Sequence, residues 1–210
     1  MLSASELLTA YARGLFPMAA GAGTDQLYWF NPDPRGIIPL GQLHAARSLR
    51  RDLRKSNWSA RHAEDFDAVV EHCAARDQTW INMPLKRLYR ELHDHGHAHA
   101  LEVYKDGALA GGIFGVTVGA AYFGESMFST QTSGSRAALL WMDWLLRNAG
   151  FTLFDTQYLT PHLQSMGGRE IPRQSYRRML AAAVADAPLK LASLPLISSH
   201  ALVQDITQTS

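Results

Sequence analysis

The middle of the chain alternates short apolar runs with turn residues. The runs cover residues 101–104, 113–118 and 121–123, and they are rich in β-branched and aromatic side chains. A Lys-Asp-Gly turn at 105–107 separates the first two runs, and Gly119 separates the last two. Short runs of this kind, joined by tight turns, are typical of antiparallel strands. The pattern therefore predicts a three-stranded antiparallel meander.

The hydrophobic period then changes to that of a helix. Apolar residues recur at helical spacing from 135 to 148, and Gly150 lies just past the last turn, where a glycine commonly ends a helix. Either Ser133 or Ser135 can cap the start. A helix is therefore predicted directly after the third strand.

After this helix the chain returns to an apolar strand at 151–154, and a second helix is predicted at 174–185. The predicted elements follow the order β-β-β-α-β-α. This order is that of an acyltransferase of the GNAT type, in which an antiparallel or mixed sheet is flanked by helices. The sequence thus predicts an α+β fold with a GNAT-like acyltransferase domain.

Length and composition allow one substantial core with a small appendage. Of the 210 residues, 47% are hydrophobic and 19% are charged. No segment approaches the length of a membrane span, and the first segment carries Glu6 and Arg13 in an amphipathic pattern unlike a signal peptide. The single cysteine, Cys73, excludes an internal disulfide. We expect a cytoplasmic protein in which Cys73 packs in a helix rather than acting as a nucleophile.

Positive charge is concentrated in one short segment. The net charge of +1 favours neither nucleic acid nor membrane binding. If residues 45–55 are helical, however, five basic residues share one face and Leu49 and Leu53 lie on the other. This basic stripe could neutralise phosphates of an RNA backbone in a salt-sensitive interaction, or it could be an ordinary solvated helix face. It consists of Arg47, Arg50, Arg51, Arg54 and Lys55.

Three polar residues in apolar strands are candidates for chemistry. Asp155 and Gln157 are two apart on a predicted strand, so both side chains are expected on one face. Glu125 ends a neighbouring strand and could converge on the same cleft. A buried carboxylate needs a partner. The alternative is therefore structural, with Asp155 paired to Arg136 or to a backbone amide, and Glu125 in an ion pair.

Four histidines alternate along a short segment and, in an extended chain, would face one side as metal ligands could. A helix predicted to stop at Gly96 breaks this arrangement, because only the last two histidines would enter the next strand. We expect capping and solvent-exposed roles and no functional metal. The four are His93, His95, His97 and His99.

Eight short motifs between about residues 2 and 180 carry a family resemblance. They are LLTAYARGLFP at 7–17, WFNPDPRG at 29–36, TWI at 79–81, GHAH at 96–99, GESMFS at 124–129, DTQ at 155–157, HLQSMG at 162–167 and IPR at 171–173. Together and in this order they resemble the bacterial leucyl/phenylalanyl-tRNA protein transferases. Single motifs would not be specific.

The resemblance implies an aminoacyltransferase that needs no ATP, metal or coenzyme A. Such enzymes transfer leucine or phenylalanine from Leu-tRNA or Phe-tRNA to proteins that begin with Arg or Lys. The new peptide bond marks the acceptor for N-end-rule degradation. Because the tRNA ester is already activated and the acceptor's α-amine has a pKa of roughly 8, the enzyme mainly orients its substrates. A monomer is the expected state.

The resemblance also implies roles for the polar residues. Asp155 would hold the acceptor's α-ammonium and receive or relay its proton, while Gln157 would hydrogen-bond the amine or the reacting carbonyl. Which of the two acts as base stays open. Glu125 would hold the basic end of the acceptor, which explains a preference for Arg and Lys.

Two binding regions follow from the same resemblance. An apolar slot would take the aminoacyl side chain, and its methionines could adapt to leucine, phenylalanine and methionine, although part of it would equally be apolar in an ordinary core. Aromatic residues would stack on the 3′-terminal adenosine of the tRNA or pack between domains. The slot positions are Ile113, Tyr122, Met127, Leu139, Met142, Leu146 and Phe154, and the aromatic positions are Tyr11, Trp80 and Tyr89.

The chain departs from the family pattern mainly near its start. Residues 1–34 would form a reduced N-terminal domain, 35–194 the GNAT-like aminoacyltransferase domain and 195–210 a C-terminal tail. Met18 stands where longer relatives carry tryptophan, so we expect looser donor binding there.

Two other functions are weighed against this one. An acyl-CoA-dependent N-acetyltransferase of the GNAT type would bind pyrophosphate at the start of the central helix, where residues 131–136 approach the required Gln/Arg-x-x-Gly-x-Gly/Ala motif. Arg136 occupies the final small position, and its long side chain would hinder close approach of the anion. A non-catalytic RNA-binding module would explain the basic stripe but neither the acid and amide pair nor the apolar slot.

Overall fold

The computed structural model describes residues 2–76 and 78–209. Within these ranges the chain forms eight α-helices, nine β-strands and a short 3-10 helix, Leu191–Ser193. The helices are α1 Ala4–Ala12, α2 Arg47–Lys55, α3 Phe66–Ala74, α4 Met83–Asp94, α5 Gly134–Ala149, α6 Pro161–Ser165, α7 Arg173–Ala185 and α8 Ser199–Thr209. The strands are β1 Phe16–Ala19, β2 Leu27–Phe30, β3 Arg35–Ile38, β4 Trp58–His62, β5 Ala98–Lys105, β6 Ala108–Val118, β7 Ala121–Ser129, β8 Leu153–Gln157 and β9 Arg169–Ile171.

Seven strands form one mixed sheet in the order β4-β5-β6-β7-β8-β3-β9, and β1 and β2 form a separate antiparallel pair. Strands β7 and β8 are parallel, and the other neighbours in the large sheet are antiparallel. Parallel neighbours need a crossover, and α5 provides it. The predicted α+β class, a mixed sheet flanked by helices, is confirmed.

The predicted meander is present as β5, β6 and β7, and the two predicted helices match α5 and α7 to within one residue at each end. Strand β8 begins two residues later than predicted and continues to Gln157. The predicted order omitted α6 and β9, which lie between β8 and α7. Elements of five and three residues are too short to show a periodicity.

Helix α5 ends as predicted but begins differently. Gly150, just past its last residue, has a left-handed φ of +86°. Ser133 occupies the N-cap position without a side-chain capping bond, and Ser135 lies inside the helix. Oγ of Ser129, at the end of β7, instead accepts a hydrogen bond from the N–H of Ser135 at 2.8 Å. The end of β7 therefore fixes where α5 begins.

Two hydrophobic cores lie on opposite faces of the sheet. Successive residues of β6 alternate between them, with Ile113 in one core and Phe114 in the other. Helices α2, α5 and α8 contribute to the first core, and α1, α3, α4 and α7 to the second. Within residues 195–210, which were expected to form a tail, α8 buries Leu202 and Val203. Among the described helices, none is long and apolar enough to cross a membrane.

The contact between α5 and β6 leaves no room for a side chain at Gly134. A Cβ atom there would lie 1.8 Å from the carbonyl oxygen of Ala110. Because that oxygen belongs to the backbone, we expect Gly134→Ala to lower the free energy of unfolding by about 2 to 3 kcal/mol, measured by urea denaturation. Gly23→Ala is the matched control, since a Cβ at Gly23 meets nothing within 4 Å. Equal stability of the two variants would contradict this close approach.

Candidate active site

A cavity opens where β7 and β8 stop pairing. The parallel register ends at the pair Phe123 and Asp155, although β7 continues to Ser129 and β8 to Gln157. The diverging strand ends enclose about 220 Å³. The walls are formed by Phe16, Met18, Arg76, Trp80, Ile113, Gly124, Glu125, Ser126, Met127, Leu139, Phe154, Thr156, Gln157, Tyr158, Thr160 and Leu163.

Four of the seven expected slot positions lie on the apolar side of this cavity, namely Ile113, Met127, Leu139 and Phe154. The structure places the other three elsewhere. Met142 and Leu146 lie further along α5, fully buried in the core, and Tyr122 packs edge-on against Phe154 with ring centroids 5.0 Å apart. Helical spacing places residues on one face, but the cavity reaches only the first turns of that face.

Glu125 stands in the cavity wall between two tyrosines. The hydroxyl of Tyr11, from α1, donates to its Oε1, and the hydroxyl of Tyr89, from α4, donates to its Oε2, both at 2.8 Å. Burial raises the pKa of Glu125 to about 7, while the two tyrosine hydrogen bonds act in the opposite direction by stabilising the carboxylate. Glu125 is therefore poised to change protonation near neutral pH, and it has no salt-bridge partner among the described residues.

The two tyrosines are not available for stacking on an adenosine, contrary to the sequence-based expectation. Both are fully buried, and their rings pack on neighbouring phenylalanines, Tyr11 against Phe123 at 4.8 Å and Tyr89 against Phe114 at 5.2 Å. Among the three expected aromatic residues, Trp80 lines the cavity. The alternative interpretation, packing between elements, describes the two tyrosines.

Asp155 lies behind the cavity wall in a buried ion pair. Its carboxylate accepts two hydrogen bonds from Arg35, from Nε at 2.9 Å and from the second guanidinium nitrogen at 2.6 Å, and neither side chain is exposed. Its partner is thus Arg35 of β3 rather than Arg136. The hydroxyl of Tyr176 donates to Oδ2 at 2.6 Å, and the N–H of Gln157 donates to Oδ1 at 2.8 Å.

Arg35 is itself held on every side. Its remaining guanidinium nitrogen donates to the carbonyl oxygen of Gly14 at 2.8 Å. The aromatic rings of Phe16 and Tyr176 lie 4.9 and 4.4 Å from the guanidinium carbon. Burial alone would lower its pKa, but hydrogen bonds and the charge of Asp155 outweigh burial and raise it. Arg35 is therefore permanently charged, as a buried carboxylate requires.

Gln157 has a strained backbone. Its φ of +60° is rare for a residue with a side chain, and the sheet is irregular there, because two residues of β8 oppose one step of β3. This break in the alternation explains why Gln157 lines the cavity while Asp155 does not. The hydrogen bond from its N–H to Asp155 stabilises the strained conformation.

The side-chain amide of Gln157 is best satisfied with Nε2 directed at the carbonyl oxygens of Gly124 and Thr156, at 3.0 and 2.9 Å. In the reverse orientation Nε2 would make one long contact of 3.5 Å with Oε1 of Glu125. We assign the first orientation because it makes two bonds of normal length. The amide oxygen then faces the Glu125 carboxylate, so two acceptors meet at the cavity wall without a donor between them.

The structure also shows the surroundings of the basic stripe, Met18 and Cys73. The basic stripe is on a helix, α2, with Leu49 and Leu53 buried beneath it, as predicted. Met18 lines the cavity. Cys73 is buried in α3, and burial raises the pKa of its thiol to about 12, which makes a nucleophilic role unfavourable.

The four histidines make local hydrogen bonds. Ring nitrogens of His93, His95 and His97 lie 2.7 to 3.3 Å from backbone carbonyl oxygens, and Nε2 of His99 lies 3.3 Å from the hydroxyl of Thr117. In the part of the chain that the structure describes, no cluster of three or more His, Cys, Asp or Glu could hold a metal ion.

Comparison with known proteins identifies the family. The model of the leucyl/phenylalanyl-tRNA protein transferase family matches residues 37–181, and the model of its N-terminal domain matches residues 1–33. The chain belongs to the leucyl/phenylalanyl-tRNA protein transferase family. Family members of nearly equal length are similar to this chain over its whole length.

Three of the relatives that carry the name leucyl/phenylalanyl-tRNA protein transferase illustrate the similarity. The protein from Paracoccus denitrificans is 53% identical over 209 residues, which cover 100% of this chain and 98% of the relative. The protein from a Ruegeria species is 48% identical, with 100% and 99% covered. The protein from Maricaulis maris is 47% identical, with 99% and 98% covered.

In this transferase family member, the sequence did not indicate Arg35 and Tyr176 as the side chains that hydrogen-bond to Asp155. Arg35 lies in the WFNPDPRG motif, and the expectation that a buried Asp155 needs a cation was a usable signal. No feature of the neighbouring sequence indicated Arg35 rather than Arg136 as the partner, because 120 residues separate Arg35 from Asp155. Tyr176 gave no signal beyond its place in a predicted helix.

The buried ion pair generates a stability prediction. Arg35→Met would leave the Asp155 charge uncompensated in the core, so we expect the free energy of unfolding to fall by about 3 to 5 kcal/mol. Urea denaturation at pH 7 measures this loss. Arg90→Met is the matched control, because Arg90 pairs with Asp67 and Asp94 at the surface, where its side chain is 47% exposed, and it should cost about 1 kcal/mol or less. Similar losses would show that the buried pair is no more important than a surface one.

Proposed function

We propose that this chain transfers leucine or phenylalanine from an aminoacyl-tRNA to the α-amine of an acceptor protein. Membership of the leucyl/phenylalanyl-tRNA protein transferase family supports this reaction. The main structural support is a single cavity that combines an apolar wall with a polar one. An apolar wall stands beside two facing acceptor oxygens, those of Glu125 and Gln157.

The apolar wall suits the aminoacyl side chain. Ile113, Met127, Leu139 and Phe154 offer no hydrogen-bonding side chain, so a polar residue would lose its hydration without compensation. Met127 can adapt to side chains of different shape, which extends the proposal to methionine. Trp80 and Met18, on the same cavity, are proposed to contact the terminal adenosine.

The acceptor's ammonium group suits the pair of oxygens. The amide oxygen of Gln157 and Oε1 of Glu125 lie 3.5 Å apart and would repel each other unless a donor bridges them. An ammonium on the cavity side of the pair could donate one of its three N–H groups to each oxygen. A negative Glu125 in a largely apolar cavity also favours a cationic acceptor end, in line with proteins that begin with Arg or Lys.

Asp155 takes a different role from the one first expected. Because its carboxylate is buried behind the cavity wall with Arg35, we propose that it positions Gln157 through the Gln157 N–H instead of contacting the acceptor. Asp155 is thus a positioning residue, and the groups that touch substrate are Gln157 and Glu125.

We also propose a GNAT-like architecture, a monomeric state and a cytoplasmic location. The parallel β7 and β8, which diverge at the cavity and are joined by α5, support a GNAT-like arrangement for residues 35–194. Residues 1–34 are proposed as an N-terminal domain, in line with the family model that matches residues 1–33. We propose that the enzyme acts as a monomer in the cytoplasm, where aminoacyl-tRNA is available, without metal or coenzyme.

Transfer of radiolabelled leucine from Leu-tRNA to short peptides tests the function. We expect label on peptides that begin with Arg or Lys and much less on a matched peptide that begins with Ala. Acetyl-CoA is offered in parallel as the alternative donor. Acetylation without transfer from tRNA would contradict the proposal and favour the acetyltransferase alternative at residues 131–136.

The basic stripe of α2 generates a separate prediction. Replacing its exposed residues Arg47, Arg51 and Arg54 by alanine should lower kcat/KM for Leu-tRNA. It should also reduce the steepness of the salt dependence by about 1 for each phosphate contact that is lost. Rates measured between 50 and 200 mM salt, about the range over which such contacts are usually resolved, provide the test. A short aminoacylated 3′ fragment is the control donor, because it lacks the body of the tRNA, whose phosphates the stripe is proposed to contact. An equal loss with both donors would exclude backbone contact by α2.

A further inference from the structure

We propose that Glu125, and not Asp155, accepts the proton that the acceptor's α-ammonium must lose before it attacks the aminoacyl ester. This inference rests on the proposed function. It concerns one step of that reaction, the formation of the neutral amine, and it assigns that step to a group held between α1 and α4.

Asp155 has no free position for a proton or for an ammonium. Each carboxylate oxygen can accept about two hydrogen bonds. Oδ1 already accepts from Nε of Arg35 and from the N–H of Gln157, and Oδ2 accepts from the guanidinium of Arg35 and the hydroxyl of Tyr176. With neither side chain of the ion pair exposed, a proton on Asp155 would also leave Arg35 as an uncompensated buried charge.

Glu125 has the free positions that Asp155 lacks. Each of its oxygens accepts one hydrogen bond, from Tyr11 or from Tyr89, which leaves about one acceptor position on each. Its side chain lines the cavity beside Gln157. The two tyrosine hydroxyls fix the carboxylate in one orientation, so the free positions are preorganised.

The groups around Glu125 suit a proton acceptor at neutral pH. Tyr11 from α1, Tyr89 from α4 and Tyr122 from β7 face it without charge. The charges of Asp155 from β8 and Arg35 from β3 act on it in opposite directions. Burial is the largest influence and raises the pKa of Glu125 to about 7. This value lies close to the pKa of roughly 8 of a free α-amine, so proton transfer between them is nearly balanced.

The reaction consumes one α-ammonium and one aminoacyl ester, and it yields a peptide bond, a free ribose hydroxyl and one proton. The Glu125 carboxylate takes one proton from the α-ammonium, and the freed amine nitrogen attacks the ester carbonyl to form the new C–N bond. The C–O bond to the ribose then breaks, and a second proton from the nitrogen passes to the departing ribose oxygen. The proton on Glu125 is released to solvent, so one proton is produced for each peptide bond formed.

The pH dependence of kcat tests the assignment, with Leu-tRNA and an Arg-terminated peptide both saturating. For the wild type we expect activity to fall as the pH drops through about 7, because protonated Glu125 cannot accept a proton. Glu125→Gln should lower kcat by about 10² to 10⁴ and replace this limb by the acceptor amine's own, at a pKa of roughly 8, while Glu125→Asp should retain part of the activity. A raised KM with kcat unchanged would instead mean that Glu125 only binds the acceptor, and would overturn the proposal.

Removing one tyrosine hydroxyl sharpens the test. Tyr11→Phe and Tyr89→Phe each delete a hydrogen bond that favours ionised Glu125, so each should move the acid limb to higher pH by about 1 pH unit. Tyr104→Phe is the matched control, because it deletes a similar bond to Glu102 on β5, and it should leave the limb in place. The acceptor's own amine is the same in every assay, so an unshifted limb would assign the titration to the amine and overturn the proposal.

A weakly basic acceptor distinguishes loss of the proton acceptor from misfolding of the Glu125→Gln variant. A peptide that carries an aminooxy group in place of its α-amine is unprotonated at neutral pH and needs no proton acceptor for this step. Glu125→Gln should therefore lose much less activity with it, which a misfolded variant could not do. An equal loss with both peptides would overturn the proposal. Absence of transfer from Leu-tRNA to the ordinary Arg-terminated peptide by the wild type would refute the proposed function itself. The two failures are therefore distinguishable.

Discussion

The geometry of the candidate site depends on one buried ion pair, that of Arg35 with Asp155. Burying two charges is unfavourable unless their hydrogen bonds are complete, and here they are. The guanidinium bonds to the carboxylate and to the carbonyl oxygen of Gly14, and the carboxylate also accepts from Tyr176 and Gln157. The pair thus connects β3, β8, α7 and the turn after α1, four parts of the chain that lie apart in the sequence.

The groups that hold the site in place lie behind the cavity wall, and the group proposed to react lies in the wall. The ion pair is saturated and shielded from solvent, so it can hold Gln157 in a strained backbone conformation. Glu125 lies in the cavity wall itself. It accepts fewer hydrogen bonds than Asp155, and burial raises its pKa. Two carboxylates of one site therefore differ in protonation behaviour because their surroundings differ, a common way of assigning acid and base roles.

Local sequence signals predicted the elements that are formed by neighbouring residues. The meander of β5 to β7, the helix α5 with Gly150 after it, and the basic face of α2 depend on periodicity and turn residues alone. Strand β3 could not be placed in this way. Its four residues carry no distinct period, and its position between β8 and β9 is set by pairing with strands more than a hundred residues away.

By itself the sequence determined the family, the α+β class and the identity of the polar residues near the site, because motifs and hydrophobic periods are properties of adjacent residues. Only the tertiary structure decided which carboxylate meets the cavity. Asp155 and Gln157 share a strand face in an ideal alternation, but the irregular pairing with β3 and the positive φ of Gln157 separate them. The reason is physical: burial and hydrogen-bond partners, which set what a carboxylate can do, come from residues distant in the chain.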